Sequence, residues 1–210
     1  MSVKASAGEA IPRSLKSNRV NTLFIIPGSD FAPIIETYAK TGGADIPEAI
    51  TAVHENVLVT MAHGYVLATG KMAAAAVHVN VGLANAAMGL LNAHSDDVPI
   101  FMISGRNPLT EGSRMGSRHT PIQYGKEMFD LTGIVREAVK WDHVLRYAEN
   151  AADLVSRGYS VAMTEPKGAV YMSLPREPLC KQTEVPGPPA RWRRPWLIPT
   201  CRPSQKQQPN

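Results

Sequence analysis

The sequence predicts an α/β fold in which a parallel sheet is covered by helices on both faces. Apolar runs of strand length alternate with helix-length segments from residue 22 to residue 174, as expected for strands joined by crossover helices. These runs are almost continuously apolar, which is typical of strands buried on both sides of a sheet. With 210 residues and a hydrophobic share of 44%, the chain is long enough for a sizeable core.

Five apolar runs are the predicted strands, and the first and last of them end at residues that interrupt regular structure. Pro27-Gly28 follows the first run, and Pro175 follows the last. The predicted strands cover residues 22–26, 49–54, 73–79, 99–104 and 169–174.

Four segments between these runs are the predicted helices. Asp30 is placed to cap the first of them, and Gly70 ends the second. The third is rich in small residues, and the fourth carries Leu154, Val155 and Tyr159 on one face. The predicted helices cover residues 30–40, 56–69, 82–93 and 151–163.

The composition changes near residue 180, and this change predicts two regions: a folded domain, 1–180, and a Pro/Arg-rich disordered tail, 181–210. The tail holds seven of the 17 prolines and carries a net charge of +5, whereas the first 180 residues sum to −1. The basic balance therefore belongs to the tail and gives no support for a nucleic-acid-binding domain. The alternative to a purely unstructured tail is a contact site, because the basic and aromatic cluster from Arg191 to Trp196 is suited to an anionic surface or partner.

Several protein classes are excluded or disfavoured by absent features. Two cysteines, Cys180 and Cys201, cannot form a disulfide framework, and the scattered histidines lack metal-ligand spacing. The first ten residues have no apolar core of a signal peptide, and the apolar run 72–77 is too short to span a membrane. We therefore expect a soluble, cytoplasmic protein that binds neither membrane nor nucleic acid. The sequence motifs of dinucleotide-binding proteins, P-loop proteins, zincins and α/β-hydrolases are also missing.

Polar residues follow four of the predicted strands at the points where those strands end. These positions are Ser29, the pair His54-Glu55, the stretch 78–85 and the stretch 105–107. Because the carboxyl ends of parallel strands share one edge, where α/β folds hold ligands, these groups are expected to meet there.

Each of these residues also has a purely structural interpretation. Ser29 or Asp30 is suited to capping a helix, and Glu55 to complementing a helix dipole. His78 lies in an apolar run, where a hydrogen-bonded core histidine is common. Asn80 and Asn85 are suited to satisfying backbone groups around a turn.

The ordered set of motifs resembles the N-terminal, pyrimidine-binding domain of thiamine-diphosphate-dependent enzymes, notably acetolactate synthase and benzoylformate decarboxylase. The resemblance extends over residues 20–178. Its motifs are Ile26-Pro27-Gly28, His54-Glu55, Ala62-His63-Gly64-Tyr65 with Ala68-Thr69-Gly70-Lys71, Gly82 with Asn85, and Pro99 followed by Ser104-Gly105.

The resemblance implies thiamine diphosphate as cofactor and a 2-keto acid as substrate. It assigns Glu55 to the aminopyrimidine ring, where a carboxyl group favours the imino tautomer that deprotonates the thiazolium carbon. It assigns Ser29 and His78 to catalysis, as in the decarboxylase, and His78 to proton relay at the substrate. The residues assigned to cofactor binding besides Glu55 are Pro27, Gly28, Gly82 and Asn85.

The chain departs from the family pattern at two places, and other features favour the synthase branch. Asn80-Val81-Gly82 stands where the family often has Gly-Pro-Gly, so the turn there is expected to differ. The stretch 112–120 aligns poorly, which weakens any match of His119 or Gln123 to a synthase glutamine. His54 and the stretch 136–142 resemble the synthases more than the decarboxylase.

Gly-Asp-Gly and Asn-Asn, which mark the magnesium- and diphosphate-binding domain of the family, do not occur in the sequence. The resemblance therefore implies that the chain alone is inactive, and that magnesium and diphosphate are held by a domain on another chain. The alternatives are a non-catalytic module that pairs with relatives or self-associates, and a truncated gene remnant.

The small residues of the third predicted helix bear on such association. Ala84, Ala86, Ala87 and Gly89 would permit another helix to approach closely at an interface. The alternative is that they pack against the sheet of the same chain.

Overall fold

The structure is a computed structural model that describes residues 3–185. The strands are β1 (Val3–Ser6), β2 (Thr22–Ile25), β3 (Glu48–Thr51), β4 (Ala73–Val77), β5 (Ile100–Arg106), β6 (Asp142–Val144), β7 (Val170–Pro175) and β8 (Gln182–Val185). The α-helices are α1 (Ala7–Ser17), α2 (Ala32–Thr41), α3 (Glu55–Thr69), α4 (Val79–Ser95), α5 (Ile122–Gly125), α6 (Ala151–Met163) and α7 (Arg176–Cys180). Four short 3₁₀ helices cover Ser29–Phe31, Thr132–Ile134, Arg136–Ala138 and Ala148–Asn150.

Six strands form one parallel sheet in the order β3-β2-β4-β5-β7-β6, which confirms the predicted fold class. The central strand β4 is buried along its whole length. Its side chains alternate between two cores: Ala74 and Ala76 face one, and Ala73, Ala75 and Val77 face the other. Helices α1, α2 and α6 cover the first core, and α3 and α4 cover the second. All carboxyl ends of the sheet therefore open between these two helical layers.

The predicted elements match the observed ones closely, with two exceptions: the strand predicted over 49–54 ends at Thr51, and the start of α4 is displaced. Helix α6 has the predicted bounds, and α3 begins one residue earlier than expected. The predicted strand 73–79 ends instead at Val77, and α4 begins at Val79, three residues before the predicted start at Gly82. Helical structure begins early because the backbone N–H of Val79 donates to a carboxylate of another segment, Asp30, at 3.3 Å.

Among residues 3–185, six strands and α-helices were not predicted from the sequence: strands β1, β6 and β8, and helices α1, α5 and α7. Helix α1 contains Pro12, a residue that normally argues against a helix interior, yet its apolar face is buried against α6. Strand β6 has only three residues. Strand β1 is too short to be recognised without its partner, because it pairs with β8 at the other end of the described chain.

The predicted boundary at residue 180 lies before the last strand that the structure describes. Gln182–Val185 forms β8, which pairs antiparallel with β1, so these residues of the predicted tail are part of a two-stranded ribbon. The rest of the predicted tail, including Cys201 and the Arg191 to Trp196 cluster, lies outside the described residues. Among residues 3–185, no helix combines the length and apolar character that crossing a membrane requires. The cellular location stays a prediction.

The small residues of α4 divide between its two faces. Ala86 and Gly89 are buried, and Gly89 packs against Val59 of α3 so closely that a Cβ at this position would lie 2.8 Å from Val59 Cβ. Ala84 is exposed on the outer face. Packing within the chain, against α3 as well as the sheet, therefore accounts for Gly89 and Ala86. Ala84 remains available for contact at the outer surface.

A pair of helix glycines tests this packing directly. Gly64, in α3, has no atom near the position of a Cβ, so Gly64→Ala should raise the free energy of unfolding by about 0.5–1 kcal/mol. Gly89→Ala should instead lower it by about 1–2 kcal/mol, because overpacking against Val59 outweighs the same backbone gain. Denaturant unfolding of both variants measures the difference. Equal stabilisation by both alanines would show that α3 and α4 are not in close contact.

Candidate functional site

The first group of site residues is built around Glu55, the first residue of α3. His54 caps this helix, its Nδ1 accepting from the backbone N–H of Asn56 at 3.2 Å. Glu55 is half-buried, and its Oε2 accepts a hydrogen bond from the side-chain amide of Asn85 at 3.0 Å. Its place in the first turn also complements the helix dipole. The structural interpretation of Glu55 is therefore compatible with the functional one. The turn-satisfying interpretation fails for Asn85, whose amide contacts a carboxylate.

Gly82 leaves room for the second oxygen of this carboxylate. A Cβ on Gly82 would lie 3.3 Å from Glu55 Oε1 and 3.0 Å from Val77 Cβ. Within the described residues, Glu55 Oε1 makes no hydrogen bond. One oxygen of Glu55 is thus fixed by Asn85 while the other stays available beside a backbone without a side chain. This arrangement fits a planar nitrogen heterocycle that offers a ring nitrogen to the carboxyl group.

The second group is built around the buried carboxylate of Asp30, whose side chain is 5% exposed. Its Oδ1 lies 2.7 Å from His78 Nδ1, and its Oδ2 accepts from the backbone N–H of Val79. Asp30 therefore caps α4 and not α2, whose N-cap residue is Phe31 without a side-chain hydrogen bond. Asp30 caps a helix, as predicted, but that helix is α4 and not α2.

Lys126 completes a chain of three polar side chains through His78. Its Nζ lies 3.2 Å from His78 Nε2. An ammonium group only donates, and a carboxylate only accepts, so the two contacts place the proton of a neutral His78 on Nδ1 and the lone pair on Nε2. The side chain of His78 is 24% exposed and so is accessible from the cavity described below.

Two motif glycines are required by the Asp30–His78 pair. A Cβ on Gly28 would lie 2.1 Å from His78 Nδ1. A Cβ on Gly105 would overlap Asp30 Oδ2, at 1.4 Å. The glycines that follow β2 and occupy β5 therefore admit a buried carboxylate where three strands end.

Val79 is held in a strained conformation beside this pair. Its φ is +32°, a left-handed value that a β-branched residue rarely adopts. Such strain costs on the order of 1–3 kcal/mol and is typical of functional sites. Here the hydrogen bond to Asp30 and the burial of Val79 hold the backbone in place.

The two groups are adjacent, because Gly82 lies one helical turn after His78 and donates its N–H to the His78 carbonyl at 2.8 Å. Glu55, Gly82 and Asn85 thus lie next to Gly28, His78 and Ser29. Pro27 is exposed in the turn after β2, and Ser29 is exposed at the start of the 3₁₀ helix Ser29–Phe31. Asn80 keeps a local role, since its Oδ1 accepts from Val81 N–H at 2.9 Å.

A cavity of about 310 Å³ opens beside His78, at the ends of β2, β4, β5 and β7. Its lining residues are Ser29, Asp30, His78, Val79, Arg106, Asn107, Pro108, His119, Thr120, Ile122, Gln123, Lys126 and Arg176. Gln123 is buried, and its Oε1 accepts from the backbone N–H groups of His119 and Thr120, at 2.8 and 3.3 Å. That oxygen is therefore occupied in shaping the loop. A cavity of about 430 Å³ between α2 and the start of β3 lies at the opposite edge of the sheet and holds none of the predicted site residues.

Sequence reasoning missed the partners of His78 and the basic side chains of the cavity. Arg106 lies within the flagged stretch 105–107, and Arg176 follows Pro175 at the end of β7. The rule that selected the other strand ends would have found both arginines. Lys126 lies in a loop that is far along the sequence from any strand end, and no pattern in the sequence indicates its contact with His78.

A buried pair on β5 and β7 supports this edge. Ser104 Oγ lies 2.6 Å from the hydroxyl oxygen of Tyr171, and both residues are fully buried. Burial raises the pKa of Tyr171 to about 12, so the phenol stays neutral. Ser104, a residue of the Ser104-Gly105 motif, therefore has a structural partner. In the described chain, no three His, Cys, Asp or Glu side chains are grouped to hold a metal ion.

Comparison with known proteins gives the same family for this chain. The family model described as "Thiamine pyrophosphate enzyme, N-terminal TPP binding domain" matches residues 5–134, which is more than half of the chain. The chain belongs to this family. Its curated relatives include the acetolactate synthase large subunit of Haemophilus influenzae, 30% identical over 174 residues, which cover 83% of this chain and 28% of the relative. Benzoylformate decarboxylase of Pseudomonas aeruginosa is 27% identical, over 77% of this chain and 28% of that protein.

Solved structures show the same fold. The thiamine diphosphate-dependent 4-hydroxybenzoylformate decarboxylase of Rhodococcus jostii superposes with a TM-score of 0.70 at 24% identity, covering 87% of this chain and 32% of that one. A putative thiamin diphosphate-dependent enzyme of Mycobacterium smegmatis gives 0.73 at 22% identity, over 89% and 33%. This thiamine pyrophosphate domain thus spans less than a third of the length of the two curated relatives.

The contacts of His78 predict its tautomer. In the neutral state the proton should reside on Nδ1, the less common form in solution, because Asp30 accepts from Nδ1 and Lys126 donates to Nε2. Two-bond nitrogen–proton correlation spectra of the labelled chain report which ring nitrogen is protonated. Asp30→Asn should shift the population toward the Nε2–H form, whereas the matched change Asp153→Asn on the exposed surface of α6 should not. An Nε2–H tautomer in the unmodified chain would contradict the described geometry.

Proposed function

We propose that this chain is the cofactor-activating half of a 2-keto acid decarboxylase or an acetolactate synthase-like enzyme. The observation that carries the proposal is the carboxylate of Glu55, fixed by Asn85 through one oxygen and open beside Gly82 through the other. Bound thiamine diphosphate would supply a nucleophilic carbon and an electron sink for decarboxylation. The family assignment and the fit of the site to a heterocycle both support this proposal.

Glu55 has one task in this proposal, to hold a hydrogen bond to a ring nitrogen of the aminopyrimidine. Its position in the first turn of α3 keeps the carboxyl group at the sheet edge, and Asn85 limits its rotation. Gly82 provides the close backbone approach that the ring needs. Because the site is half-buried, this hydrogen bond is stronger than it would be in water.

His78 and Ser29 act on the substrate side in this proposal. The lone pair on His78 Nε2 faces Lys126, and the pair can exchange a proton with a group in the cavity while Asp30 orients the ring. The Ser29 hydroxyl lies on the wall of the same cavity and makes no hydrogen bond within residues 3–185, so it is free to bind substrate. Both assignments extend the family's pattern to these two positions.

The diphosphate end of the cofactor requires a second domain, whichever polypeptide carries it. Gly-Asp-Gly and Asn-Asn do not occur in the 210 residues, so we propose that magnesium and diphosphate are held by a partner domain. An exposed apolar face beside the Glu55–Asn85 pair, here called the outer face, is suited to that contact. It comprises Val57 and Met61 on α3, and Val81, Met88 and Leu91 on α4.

The role of Glu55 predicts how a fragment of the cofactor binds. The aminopyrimidine part of thiamine should shift the backbone amide signals of α3 and α4 near Glu55 and Asn85 in titrations followed by nuclear magnetic resonance. Glu55→Gln should weaken this binding by about tenfold or more, because a charge-assisted hydrogen bond is lost. Glu36→Gln, an equivalent change on the exposed side of α2, is the matched control. Undiminished binding by the Glu55 variant would reject the proposed role.

The outer face predicts association. Analytical ultracentrifugation of the chain should show self-association at high concentration, because the outer face is apolar and uncovered. Met88→Glu should shift the population toward monomer, since it places a charge in the middle of that face. Leu67→Glu, on another side of α3, should leave association unchanged. A chain that stays monomeric throughout, or that responds equally to both variants, would contradict this use of the surface.

A further inference from the structure

The cavity beside His78 carries a surplus of positive charge. Three cationic side chains line it: Arg106 at the end of β5, Lys126 in the following loop, and Arg176 at the start of α7. Arg106 is paired with Glu127 at 3.3 Å. Within the described chain, Lys126 and Arg176 have no acidic partner within 4.0 Å, and the one acid on the cavity wall, Asp30, is committed to His78.

The guanidinium groups also have unused hydrogen-bonding capacity. The Nε atoms of Arg106 and Arg176 are buried and unpaired in residues 3–185. The polar contacts of the Arg176 head group there are weak ones, a long contact of 3.4 Å to His119 Nδ1 and one to the Cys180 thiol. Unpaired cationic donors beside a cavity are costly, and an oxyanion that accepts several hydrogen bonds offsets the cost.

The strand order places Arg176 away from the ring-binding residues, whereas Lys126 contacts His78. Along the carboxyl edge of the sheet, Glu55 follows β3, His78 follows β4, and Arg176 follows β7. Neighbouring strands lie about 4.7–4.9 Å apart, so the ends of β4 and β7 are separated by about 10 Å. A substrate that reacts beside His78 would therefore extend along the edge with its far end at Arg176.

The chemistry of decarboxylation indicates which substrate group belongs there. The reacting carboxylate loses its charge in the transition state, so a cation bound to it would stabilise the ground state and slow the reaction. Arg176, two strands away from His78, is suited to a charge that persists throughout, on a part of the substrate that does not react. Resting on the proposed function, we propose that the cavity binds a second carboxylate, so that the substrate is a 2-keto dicarboxylic acid.

Binding of simple acids by the cofactor-free chain tests this proposal. Glutarate should bind at least about tenfold more tightly than the uncharged diamide glutaramide in calorimetric titrations, because only glutarate carries a carboxylate for Arg176. Arg176→Gln should remove this preference, and Arg176→Lys should retain part of it through the charge alone. Arg157→Gln, the same change on the exposed surface of α6, controls for net charge. Circular dichroism establishes that each variant is folded.

The outcomes separate this inference from the proposed function. Equal binding of glutaramide and glutarate, or a glutarate preference that survives Arg176→Gln in a folded chain, would overturn the dicarboxylate assignment. Inorganic phosphate that binds as tightly as glutarate would overturn it too, since it would mark a general anion site. Glu55→Gln should leave glutarate binding unchanged. If the aminopyrimidine fragment fails to bind while the Arg176-dependent preference persists, the proposed function fails and the dicarboxylate cavity stands.

Discussion

The buried carboxylate of Asp30 is the contact on which the geometry of the sheet edge depends. It comes from the segment after β2, accepts hydrogen bonds from His78 and Val79 after β4, and lies against Gly105 in β5. Burying a charge is tolerated only when hydrogen bonds compensate it, so these three segments must approach one another closely. The absence of side chains at Gly28 and Gly105 and the left-handed φ of Val79 are consequences of that approach.

Asp30 also lies between two groups of side chains that share one edge. On one side, α3 and α4 hold Glu55 beside Asn85, the pair for which we propose a ring-binding role. On the other, Lys126 and Arg176 make the cavity electropositive. His78 lies between the two and has fixed donors and acceptors on both ring nitrogens. In the proposed function, His78 would thus move a proton without disturbing either the proposed ring site or the proposed anion site.

The sequence predicts those parts of the site that depend on strand ends and on family motifs. Glu55, Gly82 and Asn85 were expected to meet, and they do, because each lies in the first turns of a helix that follows a strand. Asp30 was interpreted as a cap for its own helix, because the residue it contacts lies 48 positions away and local spacing carries no trace of it. Lys126 was missed for the same reason. Helix α1 was missed because a proline inside the segment, Pro12, argues against a helix more strongly than the spacing of its apolar residues argues for one.

The hydrogen bond between Asn85 and Glu55 depends on how closely α3 and α4 pack one turn further along. Val59 follows Glu55 by four residues on α3, and Gly89 follows Asn85 by four residues on α4, and these two also meet. Because one helical turn is about 3.6 residues, the polar pair and the packed pair lie one above the other. A short amide side chain spans the distance only if the helix axes are close, and Gly89 makes them close. The glycine that looked suited to an outer interface therefore acts within the chain, where it keeps the carboxylate of Glu55 within reach of Asn85.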